Sequence, residues 1–91
     1  MDKAFETACR KAYDYYDKMK LNGLCACKDI GNEWLFEGGN PKETNYGLNL
    51  ITIEKITGSV STFIFNLENL ERLAKAPTVE IPDKYKFVSI A

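Results

Sequence analysis

The chain has 91 residues, 45% of them hydrophobic and 12% aromatic, enough for one small core and a single domain, 1–91. Its 12 basic and 13 acidic side chains leave a net charge of −1, so no general attraction to nucleic acid or to an anionic membrane is expected. It contains no histidine, which removes Ser-His-Asp and Cys-His centres and the usual His-containing zinc sites.

The chain opens Met-Asp-Lys-Ala-Phe-Glu, charged from the start and lacking an apolar signal core. No apolar run approaches the ~18–20 residues of a membrane span. The expectation is a cytoplasmic protein beginning at its own Met1. Three cysteines, Cys9, Cys25 and Cys27, follow no disulfide-framework spacing, in keeping with a reducing compartment.

Phe5, Ala8, Cys9, Ala12, Tyr16 and Met19 form one stripe of 3.6-residue period. Asp2 is a suitable N-cap, and Asn22-Gly23 a suitable stop, so a helix is expected over 2–20. A weakly patterned strand, 24–30, leads through Gly31-Asn32 into a cleanly alternating one, 33–37. Trp34 and Phe36 share one face there, opposite Glu33, Leu35 and Glu37. An irregular stretch from Gly38 to Gly47 separates this hairpin from a second. Its strands, 48–55 and 60–65, are joined by Lys55-Ile56-Thr57-Gly58 with Gly58 in the left-handed position.

Such short connections require antiparallel neighbours. Asn66 can cap a second helix over 67–75, with Leu67, Leu70, Leu73 and Ala74 on its apolar side, and Pro77 ends it. The tail, 78–91, is apolar but interrupted by Pro82. The fold class is therefore α+β: a long N-terminal helix on a four-stranded antiparallel sheet, with a short second helix after the fourth strand. The tail is available as a fifth strand or a wrap around the helix.

Few residues offer chemistry. Cys25-Ala26-Cys27 could hold a soft metal or do redox work, both thiols projecting from one face of a regular strand. No histidine or fourth cysteine completes a tetrahedral site, and buried packing is the simpler role. Glu33 and Glu37 could share a face with Leu35, and Glu43 and Glu54 lie near strand ends, but nothing in the pattern buries a carboxylate as acid catalysis requires. Gly38-Gly39-Asn40 runs into Pro41 rather than a Lys-Ser/Thr helix start, and so reads as a turn. No catalytic, cofactor-binding or metal-ligating residue is assigned, and no cofactor is expected.

Recognition is better served. Tyr13 and Tyr15 flank the core stripe of the first helix, and Asn40, Lys42, Glu43 and Tyr46 lie in the long polar loop. Tyrosine combines apolar area with a polar tip, and loops on rigid scaffolds carry contacts. These six are the candidate partner-binding residues, while Tyr16 and Trp34 are placed in the core.

The order of Ala-Tyr-Asp-Tyr-Tyr (12–16), Glu-Trp-Leu-Phe (33–36), Gly38-Gly39 and Ile-Thr-Ile-Glu-Lys-Ile-Thr-Gly-Ser-Val (51–60) resembles small bacterial immunity domains of the immunity protein 35 group. It is similar in outline to PepSY-type domains as well. This chain departs in carrying Ile56 inside the turn and a second helix after the last strand. The resemblance implies a bacterial cytoplasmic protein that binds and neutralises a toxin, without catalysis or cofactor, and it marks no contact residue.

The leading expectation is a non-catalytic protein-binding module with a protein partner, as monomer or homodimer, and with no nucleic-acid or membrane partner. Its binding surface would be the open sheet face, the 38–47 loop or the outer edge of the first helix. Two other classes stand beside it. One is a small-molecule or minor enzymatic pocket between helix and sheet, cystatin-like in outline. The other is a self-associating structural domain using an unpaired edge strand.

Overall fold

A computed structural model of the chain describes residues 3–18, 23–39 and 50–86. The first helix, α1 (Lys3–Lys18), buries Phe5, Ala8, Cys9, Ala12 and Tyr16, the described part of the predicted stripe. The proposed cap Asp2, Met19 and Asn22 lie outside the described residues. Four strands follow: β1 (Leu24–Asp29), β2 (Glu33–Gly38), β3 (Leu50–Glu54) and β4 (Val60–Thr62). They form one antiparallel sheet in the order β1-β2-β3-β4. A second helix, α2 (Leu67–Lys75), comes next, then a short 3-10 turn at Asp83–Tyr85.

The small row Ala8, Cys9 and Ala12 lets α1 lie close on the sheet, where Trp34, Phe36, Ile51 and Ile53 rise to meet it. The Phe5 ring stands edge-on to Trp34 at 5.2 Å and stacks on Phe36 at 6.4 Å. At the other end of the helix the Tyr16 hydroxyl, fully buried, donates to the Phe36 carbonyl at 2.9 Å. Its ring lies flat on Gly38, where any Cβ would overlap the ring carbons. Glycine is needed here for close approach. Each such ring, buried from water, contributes ~1.5–3 kcal/mol before the costs of ordering it.

Two turns match their sequence signals. Gly31 follows Asp29, whose Oδ1 accepts the Gly31 N–H at 3.0 Å. Gly58 adopts φ 74° and donates to the Glu54 carbonyl at 2.8 Å, as the β3–β4 loop requires. The Lys11 ammonium reaches from α1 to the Gly58 carbonyl at 2.9 Å, tying that loop to the helix.

β1 departs from simple alternation. The register passes from Leu24 opposite Gly38 to Ala26 opposite Glu37, so Cys25 is the extra residue of a bulge. The bulge resets the phase, and the fully buried positions become Leu24 and Cys27, three apart. Cys25 and Cys27 therefore lose the shared-face relation expected of a regular strand. Cys27 is sealed in the core, whereas Cys25 is half-buried.

β4 is shorter than the expected 60–65. The Phe63 N–H still donates to the Leu50 carbonyl at 3.1 Å, after which the chain turns toward α2. Asn66 caps that helix by accepting the Asn69 N–H at 2.8 Å, and the Asn69 amide takes the Ile64 carbonyl at 2.8 Å. Capping the helix has ended the strand.

The sheet face away from α1 is not open. Ile30, Leu35 and Phe63 form a second, small cluster there, partly covered by Leu50, Leu73 and Ala76. α2 starts beside β4, through Asn69 and Ile64, and ends at β1, where the Asp29 N–H donates to the Pro77 carbonyl at 3.0 Å. It crosses the back of the sheet from one edge to the other. The Arg72 guanidinium holds it in place, 2.8 Å from the Ile30 carbonyl, 3.1 Å from Asn32 Oδ1 and 3.8 Å from Glu33.

The tail both adds to the sheet and wraps. The Val79 N–H donates to the Cys27 carbonyl at 2.9 Å, and Thr78 bridges Lys28 in antiparallel sense. Beyond it, Ile81 and Tyr85 enter the α1 core, and Lys84 pairs with Glu6 at 2.6 Å. Lys86 bridges Leu24 in parallel. The outer edge of β1 is thus occupied along much of its length.

Candidate protein-docking surface

Strand pairing decides which backbone groups of β4 are left over. Pairing of Ile51 with Thr62, Thr52 with Ser61 and Ile53 with Val60 sets the register. The bonds from Glu54 N to Ser59 O and from Phe63 N to Leu50 O show which residues turn their polar groups toward β3. In an antiparallel ladder these alternate, so Ser59, Ser61 and Phe63 face β3 while Val60 and Thr62 face outward. Among the described residues, nothing pairs with the outward N–H and C=O groups of Val60 and Thr62. The free edge stops at Ile64, whose carbonyl Asn69 has taken.

Apolar side chains gather around this edge. Ile64 is 67% exposed, Phe65 52%, Leu67 85% and Leu70 43%, and Val60 on the strand itself is 43% exposed. Phe65 sets its ring edge-on to the buried Phe63 at 5.1 Å, which fixes it as a shelf beside the edge. Leu67 and Leu70 belong to the first turns of α2, the end that lies at β4. α2 buries none of its residues fully. A helix with an apolar side ordinarily covers it, and here much of that side is offered to solvent.

The β4 edge and the chain leading from it to α2 carry no formal charge, and the first acidic side chain, Glu68, comes only with the first turn of the helix. Between Lys55 and Glu68 the sequence has no Asp, Glu, Lys or Arg, the longest such run in a chain that is 27% charged. Nor does β4 carry the lysine, proline or bulge with which exposed edges are commonly blunted. Both signals were present in the sequence. Neither could be read as a surface until β4 was known to be an edge.

The sequence-predicted residues lie elsewhere. Tyr13 is half-buried against the α1 core, its ring 5.9 Å from Tyr85 of the tail. Tyr15 is 37% exposed and leans edge-on against Tyr16 at 5.2 Å. Both belong to α1, on the opposite side of the sheet from α2, and the structure does not bring them to the β4 edge. Asn40, Lys42, Glu43 and Tyr46 lie outside the described residues.

The groups with chemistry are held in unreactive states. Burial pushes the thiols of Cys9 and Cys25 up to about 11 and that of Cys27 up to about 12, so all three stay protonated near neutrality. Burial raises the Tyr16 hydroxyl as well. Asp29 is held below its ordinary value by the hydrogen bond from Lys55, 2.7 Å away, and Lys55 lies 5.4 Å from the Trp34 ring centre. That cluster is a satisfied ion pair on an aromatic face.

The centre of the helix–sheet interface is filled by Tyr16, Phe36, Ile51 and Ile53, all essentially inaccessible, while open hollows of about 190 and 440 Å³ lie along its rim between α1 and the Trp34–Lys55 corner of the sheet. Another open hollow, of about 310 Å³, lies between β1 and the tail, lined by Cys25, Val79 and Lys86 among others. Among the described residues, no helix is long and apolar enough to cross a membrane. Compared with known proteins, the chain matches no protein-family model, no curated protein and no solved structure.

Proposed function

We propose that this chain is a non-catalytic protein-binding module that docks its partner on the β4 edge and the adjoining first turns of α2. The observation that carries this reading is a coincidence: the outward backbone groups of Val60 and Thr62 have no partner among the described residues, and exposed Ile64, Phe65 and Leu67 lie beside them. A strand laid along β4 would complete the ladder, and its flanking side chains would cover the apolar shelf. Thiols kept protonated by burial and a closely packed centre of the helix–sheet interface support a binding role over a catalytic one. The concrete form we favour is an immunity-type inhibitor of a protein toxin, supported by the order of leading helix, aromatic strand and Thr-Gly hairpin.

Affinity purification of the full chain from its source, beside the Leu67→Glu variant, tests the reading. Leu67 is 85% exposed, so the variant should fold as the parent does. A protein retained in stoichiometric amount by the parent and lost with the variant is expected. Equal retention by both would move the binding surface elsewhere.

A further inference from the structure

The β4 edge is self-complementary, and we propose that, with no other partner bound, a second copy of this chain closes it to form a twofold dimer with one continuous eight-stranded sheet. This rests on the reading of the surface as a docking site and names its occupant. Hydrogen bonding carries the first part of the argument. Val60 and Thr62 each turn an N–H and a C=O outward. In an antiparallel pairing centred on Ser61, Val60 of one copy lies opposite Thr62 of the other, and the reverse. Every outward donor then meets an outward acceptor, and no group is left over.

Charge carries the second part. The uncharged run from Ile56 to Leu67 contains the edge and the shelf up to the start of α2, so the paired strands meet without like charges facing one another. A charged segment would have to be desolvated against that surface with nothing to pair it. A second copy brings β-branched and neutral residues, Val60, Thr62 and Ile64, to the same row. The twofold axis stands perpendicular to the sheet, so the two α2 helices lie on the same face of the joined sheet. In this register Ile64 of each copy lies opposite Gly58 of the other and Phe65 opposite Thr57, so the exposed shelf of one copy meets the uncharged β3–β4 loop of its partner. Exposed Ile64 and Phe65 of one copy are thereby brought beside exposed Ile56 of the other, once at each end of the joined edge.

Sedimentation equilibrium of the full chain, from micromolar to near-millimolar concentration, tests the proposal. The parent should pass from the 10.3 kDa monomer toward twice that mass. Val60→Lys and Ile64→Glu, both on the edge, should each weaken the dimer at least tenfold. Both positions are exposed, and circular dichroism verifies the fold of each variant. Hydrogen exchange of the parent adds a readout that needs no variant: the Val60 and Thr62 amides should become protected as concentration rises, while those of exposed Ile56 and Thr57 should not.

A parent that stays monomeric throughout overturns the dimer. So does a dimer that both variants form as readily, or one in which the Val60 and Thr62 amides exchange unchanged. None of these results touches the docking reading itself, which falls only if Leu67→Glu keeps the partner captured from the source. A heterologous strand that protects the same two amides in a monomeric parent would assign the edge to that partner instead.

Discussion

The two faces of the sheet are built on different principles. On the α1 face, Phe5, Tyr16, Trp34, Phe36, Ile51 and Ile53 interlock over a row of small helical residues, and the tail adds Ile81 and Tyr85. On the α2 face the buried side chains among the described residues are Ile30, Leu35 and Phe63, beside a buried Thr52, and the helix is held by caps and by Arg72. One face holds the fold together by excluding water. The other is pinned by directional polar contacts and keeps apolar surface in reserve. Stability is thus concentrated on the α1 side of the sheet, and the surface we propose for docking adjoins the less buried α2 side.

The sharpest way to break this comparison is to delete the same side chain from each face. Phe36→Ala opens a cavity where nothing can relax, and should cost about 4 kcal/mol by denaturant unfolding. Phe63→Ala lies under a loosely seated helix that can settle into the space, and should cost about half as much. Equal losses would mean that the faces are equally packed.

A smaller effect is expected from Gly38→Ala, because the new methyl group meets the base of the Tyr16 ring rather than a flexible end. About 2–3 kcal/mol should be lost, the ordinary cost of overpacking. Combination with Tyr16→Ala should recover part of that loss, and strict additivity of the two would refute the contact.

The smallest effect concerns the rim of the α1 face. Asp29 has a lowered pKa through its bond from Lys55, so its contribution is present above the ordinary aspartate range and fades as pH falls through the lowered value. Asp29→Asn should therefore be less stable than the parent at neutral pH, and the gap should close on acidification below that range. Because the pair is partly exposed, the gap should be modest, and a gap independent of pH would remove the ion pair as its cause.

Much of the fold was legible. α1 follows from the period of Phe5, Ala8, Cys9, Ala12 and Tyr16, and β2 from the alternation of Trp34 and Phe36, because each repeat is a local geometric property. Gly31 and Gly58 mark their turns for the same reason. β1 was patterned weakly because the bulge at Cys25 changes its phase, and a bulge is set by the partner strand. The expected length of β4 failed through competition. Ile64 and Phe65 have strand character, but Asn66 and Asn69 draw the chain into a helix. Tyr13 and Tyr15 were sensible choices by residue type, yet the tail packs against Tyr13 and Tyr16 supports Tyr15.

By itself, then, the sequence determined which segments are helix and strand, which side of α1 and β2 is apolar, and that the strands run antiparallel. These depend on residues a few positions apart. Only the tertiary structure decided which edge of the sheet is sealed. The tail returns to β1 through Val79 and Lys86, and no described segment pairs with the outer side of β4. An uncharged, β-branched run has the same composition whether it is the middle of a sheet or its rim. Contacts between residues far apart in the chain, such as Pro77 with Asp29 and Arg72 with Ile30, set which of the two it becomes.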